Sequence, residues 1–246
     1  TGGITLTAAN SGTITTTGNG ANAGGEVYVY NKASGNITLG KAITAKGGTG
    51  GGGGVVTVLN ADTAGTIAVD AVIDVSKDGG GTDGSILLKA GSNITEGASG
   101  GVKGDSEGKL LAYSVGGKVL LDTTANNLMA TAAFKTDTTL ASTNNGTVTY
   151  KDNTGLTIGT VAAVGTLSSP SGGAAASTVG PLSGITTVAG TSNGAVVVQA
   201  GGLLTVDQAI ATTPGTAGVG GAVTLEATTG GITLTAANSG TITTTG

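Results

Sequence analysis

Side chains that could do chemistry are scarce in this sequence. Of its 246 residues, 14 are Asp or Glu and 10 are Lys or Arg, and there is no His and no Cys. Ser–His–Asp and Cys–His nucleophile arrangements therefore cannot be built, and the usual nitrogen and sulfur ligands of zinc are missing. Carboxylates remain, and two of them facing each other across a sheet surface can act as acid and base. The candidates are Asp70, Asp74, Asp122 and Asp207, each beside a strand-like run. They read as solvated outward or corner positions, so no catalytic residue is assigned and no enzymatic activity is expected.

Two further patterns carry a possible chemistry. Asp78-Gly79-Gly80-Gly81-Thr82-Asp83-Gly84 places two carboxylates around glycines, as a calcium loop does. Calcium β-rolls repeat a nonapeptide many times, and this chain does not. The segment therefore reads as a turn, and no metal or cofactor is assigned. Thr5 and Thr7, Thr13 and Thr15, Thr233 and Thr235, and Thr241 and Thr243 form Thr-x-Thr pairs, which on a flat face could order water and bind ice. The strand-like runs EVYVY and SILLK have no such pair. Exposed strand threonines are the plainer reading.

The elements that would hold these residues follow from an unusual composition. Gly supplies 49 residues, aromatics 2% and charged residues 10%, and there is no Trp. Apolar content comes mainly from Ala, Val, Ile and Leu, which can fill a narrow regular interior but not a wide globular core. A mean hydropathy of +0.27 with a net charge of −4 departs from disordered composition. No Lys/Arg stripe exists to displace counterions, so nucleic acid is excluded as a partner. No apolar run approaches the ~18 residues of a membrane-spanning helix.

A repeat governs the chain. Thr1–Gly18 recurs letter for letter as Thr229–Gly246, an offset of 228 residues. Residues 1–228 thus read as one full tandem unit and 229–246 as the start of the next. Within the unit a shorter motif recurs: Gly, any residue, Val or Ile, any residue, then Val, Leu or Tyr. It begins at Gly25, Gly54, Gly84, Gly117, Gly146, Gly194 and Gly221, with steps of 27 to 33 residues except one of 48. Alternation of period two marks each copy as a strand, and shorter strand signals such as NITL, TIAV and LLTV follow.

Three short strands per turn of about 29 residues, joined at Gly and Asn corners, describe a coil of a parallel β-helix. The fold expected is an all-β, right-handed β-solenoid of seven to eight coils per unit, without significant helix. Neighbouring coils would supply each other's core. The step of 48 reads either as one coil with a loop excursion at 166–184 or as two coils of about 24 residues. Parity predicts ladders from Val27/Val29, Val56/Val58, Ile86/Leu88, Val119/Leu121, Val148/Tyr150, Val196/Val198 and Val223/Leu225.

Stretches such as GSILLKAGSNITEG, GKVLLDTTANNLMA and GTVTYKDNTGLTIGTVAAVG resemble the β-strand repeats of filamentous haemagglutinin-like proteins. The resemblance covers nearly the whole chain and is one of spacing. It implies right-handed β-helices in giant secreted chains displayed on the cell surface, often through two-partner secretion, and it carries over no functional residue.

The function expected is that of an extracellular, cell-surface fibre or stalk partnered by copies of itself, head to tail and in lateral bundles. An adhesin that contacts carbohydrate or a cell-surface ligand is the alternative, and a clustered aromatic patch would mark it. A nearly pure translation between the two identical segments would favour the fibre. Under a large rotation, or with a capping element at either end, the fibre reading fails and a self-contained adhesin is the better account.

Overall fold

The computed structural model describes residues 2–7, 12–123, 126–138, 146–162, 180–188, 194–214, 219–235 and 240–245. Among them there is no helix, and every strand pairing but one is parallel. Three faces form a solenoid-like wall. The first stacks Glu26–Asn31, Val55–Asn60, Ser85–Ala90, Lys109–Ser114 and Thr131–Asp137 in register. The second stacks Ile4–Leu6, Ile37–Leu39, Ile67–Val69, Ile94–Glu96, Val119–Leu121, Val148–Asp152, Val196–Ala200 and Val223–Ala227. The third is short: Ile14–Thr15, Ile43–Thr44, Val72–Asp74 and Gly101–Lys103, with one further bridge from Lys103 to Leu128. The chain visits the faces in that order and returns to the first one strand further along.

Alternation explains the interior. Val27, Val56, Ile86, Leu110 and Ala132 share one inner row of the first face, and Val29, Val58, Leu88, Ala112 and Phe134 share the next. All are buried. Each fully buried Val, Ile or Leu contributes about 1.5–3 kcal/mol relative to exposure, a gain available only because adjacent coils supply the neighbouring wall. Corners are closed by side chains. The Asn31 amide donates to Gly35 O at 3.0 Å, and Asn60 stacks beneath it and donates to Gly35 O at 2.9 Å and Thr66 O at 3.0 Å. Gly35 has φ +128°, a turn that a side chain would strain.

The face pattern changes midway. After Thr131–Asp137 the third face ends and the first divides in two. Leu156–Ile158 stacks on Thr131 and Ala132, whereas Ile185–Val188 stacks on Phe134 through Asp137. Leu204–Val206 and Ile232–Leu234 continue one branch; Ile210–Thr213 and Ile242–Thr244 continue the other. From here the long strands lie on the second face.

This slip corrects two expectations. The glycine-led pairs have the expected parity, but they form two ladders rather than one. Those after Gly25, Gly54 and Gly84 lie on the first face, and those after Gly117, Gly146, Gly194 and Gly221 on the second. Lys109–Ser114 and Thr131–Asp137 take the intervening first-face positions. The identical segments also lie on different faces, Ile4–Leu6 on the second and Ile232–Leu234 on a branch of the first. A pure translation therefore does not relate them.

Val148–Asp152 hydrogen-bonds directly to Val196–Ala200, so a single circuit separates these strands despite the step of 48 residues. Within it, Thr160–Val161 and Leu182–Ser183 form the antiparallel pair, bracketing residues that include most of the expected excursion. Positions 166–179 of that excursion lie outside the described residues.

Candidate functional site

The four candidate carboxylates are not brought together. Asp70 is exposed at a corner. Asp74 lies on the third face, where its Oδ1 accepts from Ser76 N at 2.9 Å and Ser76 Oγ at 2.6 Å, and Lys46 Nζ lies 3.9 Å from Oδ2. Asp207 accepts from Thr235 Oγ1 at 2.7 Å. Asp122 is exposed and follows the Leu121–Tyr150 pair, next to the outward row Lys151, Gln199 and Glu226. These four residues help line a cavity of about 250 Å³. Asp122 and Glu226 are three strand spacings apart, about 14 Å at ~4.8 Å each. Glycoside hydrolysis requires carboxylates separated by roughly 5–9.5 Å.

The glycine-rich loop is held by its own backbone. Asp83 Oδ1 accepts from Lys77 N at 2.6 Å and Oδ2 from Glu107 N at 2.8 Å, so both oxygens are occupied by amides. Asp78 pairs through its main chain with the Thr49–Gly51 turn. Lys77 and Glu107 close the corner with an ion pair at 2.9 Å, which raises the lysine pKa and lowers that of the glutamate. Among the described residues, no three Asp, Glu, His or Cys side chains converge.

Threonine ranks are broken on the second and third faces. On the second face the row from Thr5 through Thr38 meets Ala68, then Thr95, then Leu120. Thr15 and Thr44 lead to Asp74. Two ranks are unbroken: Thr136, Thr187, Thr212 and Thr244, whose first three members are buried, and the outward single file Thr131, Thr157, Thr205 and Thr233 on the other branch of the first face. Two residues further along that file stand Asp207 and Thr235 rather than a second rank of threonine.

A buried polar network lies where the third face ends; alternation places Tyr150 inward, but the sequence does not single out its partner Asp152. Tyr150 and Asp152 share the inward parity of their strand and are 0% and 1% exposed. Asp152 Oδ2 accepts from Tyr150 OH and from Met129 N, each at 2.8 Å. Its Oδ1 accepts from Thr154 N at 2.8 Å and Thr154 Oγ1 at 2.7 Å. Nearby, buried Asn127 accepts from Val102 N at 2.9 Å and donates to Glu96 Oε2 at 3.2 Å and Leu121 O at 3.1 Å. Ending a sheet inside a wall leaves amides without ladder partners, and these side chains supply the acceptors. Burial raises the Asp152 pKa despite its donors, and burial followed by the Asp152 charge raises that of Tyr150.

The outer surface of the first face is the other feature the linear sequence hid. Leu59, Leu87, Leu111 and Ala133 point outward yet are buried, in a second apolar cluster with Val161, and Tyr28, Tyr30, Tyr113 and Leu182 pack against it. Three of the four tyrosines thus share one surface, although the linear sequence shows no such platform. Tyr28 and Tyr30 stack with ring centroids 5.8 Å apart. The row starting at Tyr30 continues through Leu59, Lys89, Tyr113 and Lys135 on successive strands. Lys89 Nζ lies 5.4 Å and Lys135 Nζ 5.1 Å from the Tyr113 ring centroid. Burial, then repulsion by Lys135, lowers the Lys89 pKa. The signal was present in runs apolar at both parities, VVTVL, ILL, LLA and AAF, as in strands covered on both sides.

Comparison of the chain with protein-family models, curated proteins and solved structures gives no significant match.

Proposed function

We propose that this chain is a unit of an extracellular fibre or stalk, a right-handed parallel β-helix that continues from one 228-residue unit to the next without a catalytic role. The observation that carries the reading is the recurrence of Thr1–Gly18 as Thr229–Gly246, with parallel-stacked strands lying between the two copies. In a continued array the rows through Ile232, Leu234 and Ile242, whose earlier members Leu204, Val206 and Ile210 are buried, would pass into the next coil.

The face slip gives the unit its pitch. From Ile4–Leu6 to Ile232–Leu234 the chain advances through 22 face positions, the Leu128 bridge included. At three faces per coil that is about seven and a third coils, or roughly 35 Å of rise at ~4.8 Å per coil. The extra third places the second copy one face further round, against the near-translation expected of the fibre, so the fibre survives only as a screw in which each unit turns by one face. Secretion and surface display, as in filamentous haemagglutinin-like proteins, belong to the same proposal.

The second reading is an adhesin, and the Tyr28, Tyr30, Tyr113 surface with its lysines favours it, as does the rotation between the two copies. The two readings separate by length. Chains of one, two and four units, imaged by negative-stain electron microscopy, lengthen by about 35 Å per unit if the solenoid continues. Beads of constant size on flexible connections would defeat the fibre.

A further inference from the structure

The outer row Lys89–Tyr113–Lys135 brings two ammonium groups to one phenol. Each lies within 5.4 Å of the ring centroid, on strands that flank Tyr113 on either side in the ladder. Lys135 has Asp137 Oδ2 at 3.7 Å. Among the described residues no carboxylate forms an ion pair with Lys89. All three side chains are half-buried over the Leu87–Leu111–Ala133 cluster, so water screens them less than it would free surface lysines. The ring quadrupole holds the cations in place, and the charge of Lys89 has no carboxylate among the described residues to compensate it. Two cations on one half-buried row make this part of the face locally positive, with Lys89 available to an anion. Three strands along the same row, the stacked Tyr28–Tyr30 pair offers aromatic faces of the kind that pack against the C–H faces of sugar rings.

We propose that Lys89, Tyr113 and Lys135 bind a carboxylate of an acidic polysaccharide, whose neighbouring pyranose rings run along the row towards Tyr30 and Tyr28. Lys89 is the principal contact, because Lys135 is shared with Asp137. The carboxylate sits at the Lys89 ammonium, Lys135 adds positive potential from the strand on the other side of Tyr113, and the Tyr113 hydroxyl at the tip of the ring is an additional donor. The site deepens the adhesin reading and rests on it: it assigns the ligand class and the residues that select it.

The test is calorimetric titration of the 246-residue chain with an oligogalacturonate, with a neutral oligosaccharide of equal length and with inorganic phosphate. The site requires that oligogalacturonate binds, that rising ionic strength weakens it, and that the neutral oligomer binds at least tenfold more weakly. Lys89→Met should weaken binding about tenfold, as expected for a lost charge-assisted contact, and Lys89→Arg should restore most of it. Tyr28→Ala should weaken oligogalacturonate without affecting any binding of phosphate. Circular dichroism melting of each variant confirms that the wall is intact. If oligogalacturonate binds equally to wild type and Lys89→Met, the proposed site is wrong while the adhesin reading survives. Phosphate binding as tight as the oligomer's would also overturn the polysaccharide assignment. If neither saccharide binds the wild-type chain, the site falls, and with it the carbohydrate form of the adhesin reading but not adhesion to a protein ligand.

Discussion

Replacing Asp152 by Asn tests whether a buried carboxylate holds the wall together where the third face ends. Every contact to this side chain is a donor: Tyr150 OH and Met129 N on Oδ2, Thr154 N and Thr154 Oγ1 on Oδ1. Asn has one acceptor oxygen, and its NH₂ must face one of the two donor pairs. The Tyr150 or Thr154 hydroxyl can rotate to accept from it, but the adjacent backbone N–H cannot. Either orientation therefore leaves one amide without an acceptor, at a cost of about 1–3 kcal/mol. Removing a buried negative charge offsets part of this, so Asp152→Asn should be about 1–2 kcal/mol less stable than wild type at neutral pH.

The pH dependence of that gap carries a sign. Burial raises the folded-state pKa of Asp152 above its ordinary value of 3.8. Between the unfolded and folded values the native state binds more protons, so the contribution of Asp152 is fully present below the unfolded pKa and is lost as pH rises through the folded one. The advantage of wild type over Asp152→Asn should thus widen on acidification into that window. Asp62 and Glu107, whose pKa values are lowered, drive total stability the other way, but they are common to both proteins and cancel in the difference. Urea unfolding followed by circular dichroism across the acidic range measures the gap. A gap that narrows on acidification would show that the donors outweigh burial, and a neutral effect at pH 7 would refute the role in closing the wall.

Other substitutions address packing. Gly53→Ala should destabilise by about 1–3 kcal/mol, because its methyl would meet the Val75 carbonyl and the Gly84 amide of neighbouring backbone. Gly80→Ala, which meets nothing within 4 Å, should be tolerated when unfolded in parallel. Phe134→Ala should lose about 3–5 kcal/mol in the same assay, since the ring is 1% exposed and packs against Tyr150 with centroids 5.1 Å apart.

Parity and strand positions were legible because inward residues must be apolar whichever face they line. Val119 and Leu121 are buried as the alternation requires, although they lie on the second face rather than the first. Register was hidden by chemistry that looks alike. The strand Lys109–Ser114 follows Gly108, but Leu110 and Leu111 are both apolar, so alternation does not stand out, and Thr131–Asp137 has no leading glycine. Skipping these two strands merges two faces into one ladder. The offset between the identical segments was illegible for a related reason: the face a segment occupies depends on how many strands precede it, not on its own residues. Tyr150 is placed inward by alternation, but Asp152 is not legible as its partner, because a buried carboxylate is recognisable only once the donors around it are known. The tyrosines of the first face are far apart in sequence, and only strand register places Tyr113 in line with Tyr30.

The most direct measurement is a cryo-electron microscopy structure of a chain containing two consecutive 228-residue units. A continuous screw solenoid requires the inward rows to pass from one unit to the next without interruption. Ile232, Leu234 and Ile242 should become buried, and each strand of the second unit should lie one face round from its copy in the first. A capping element or a break in the parallel stack between the units would contradict the fibre. A junction with no rotation at all would contradict the slip from which its pitch is derived.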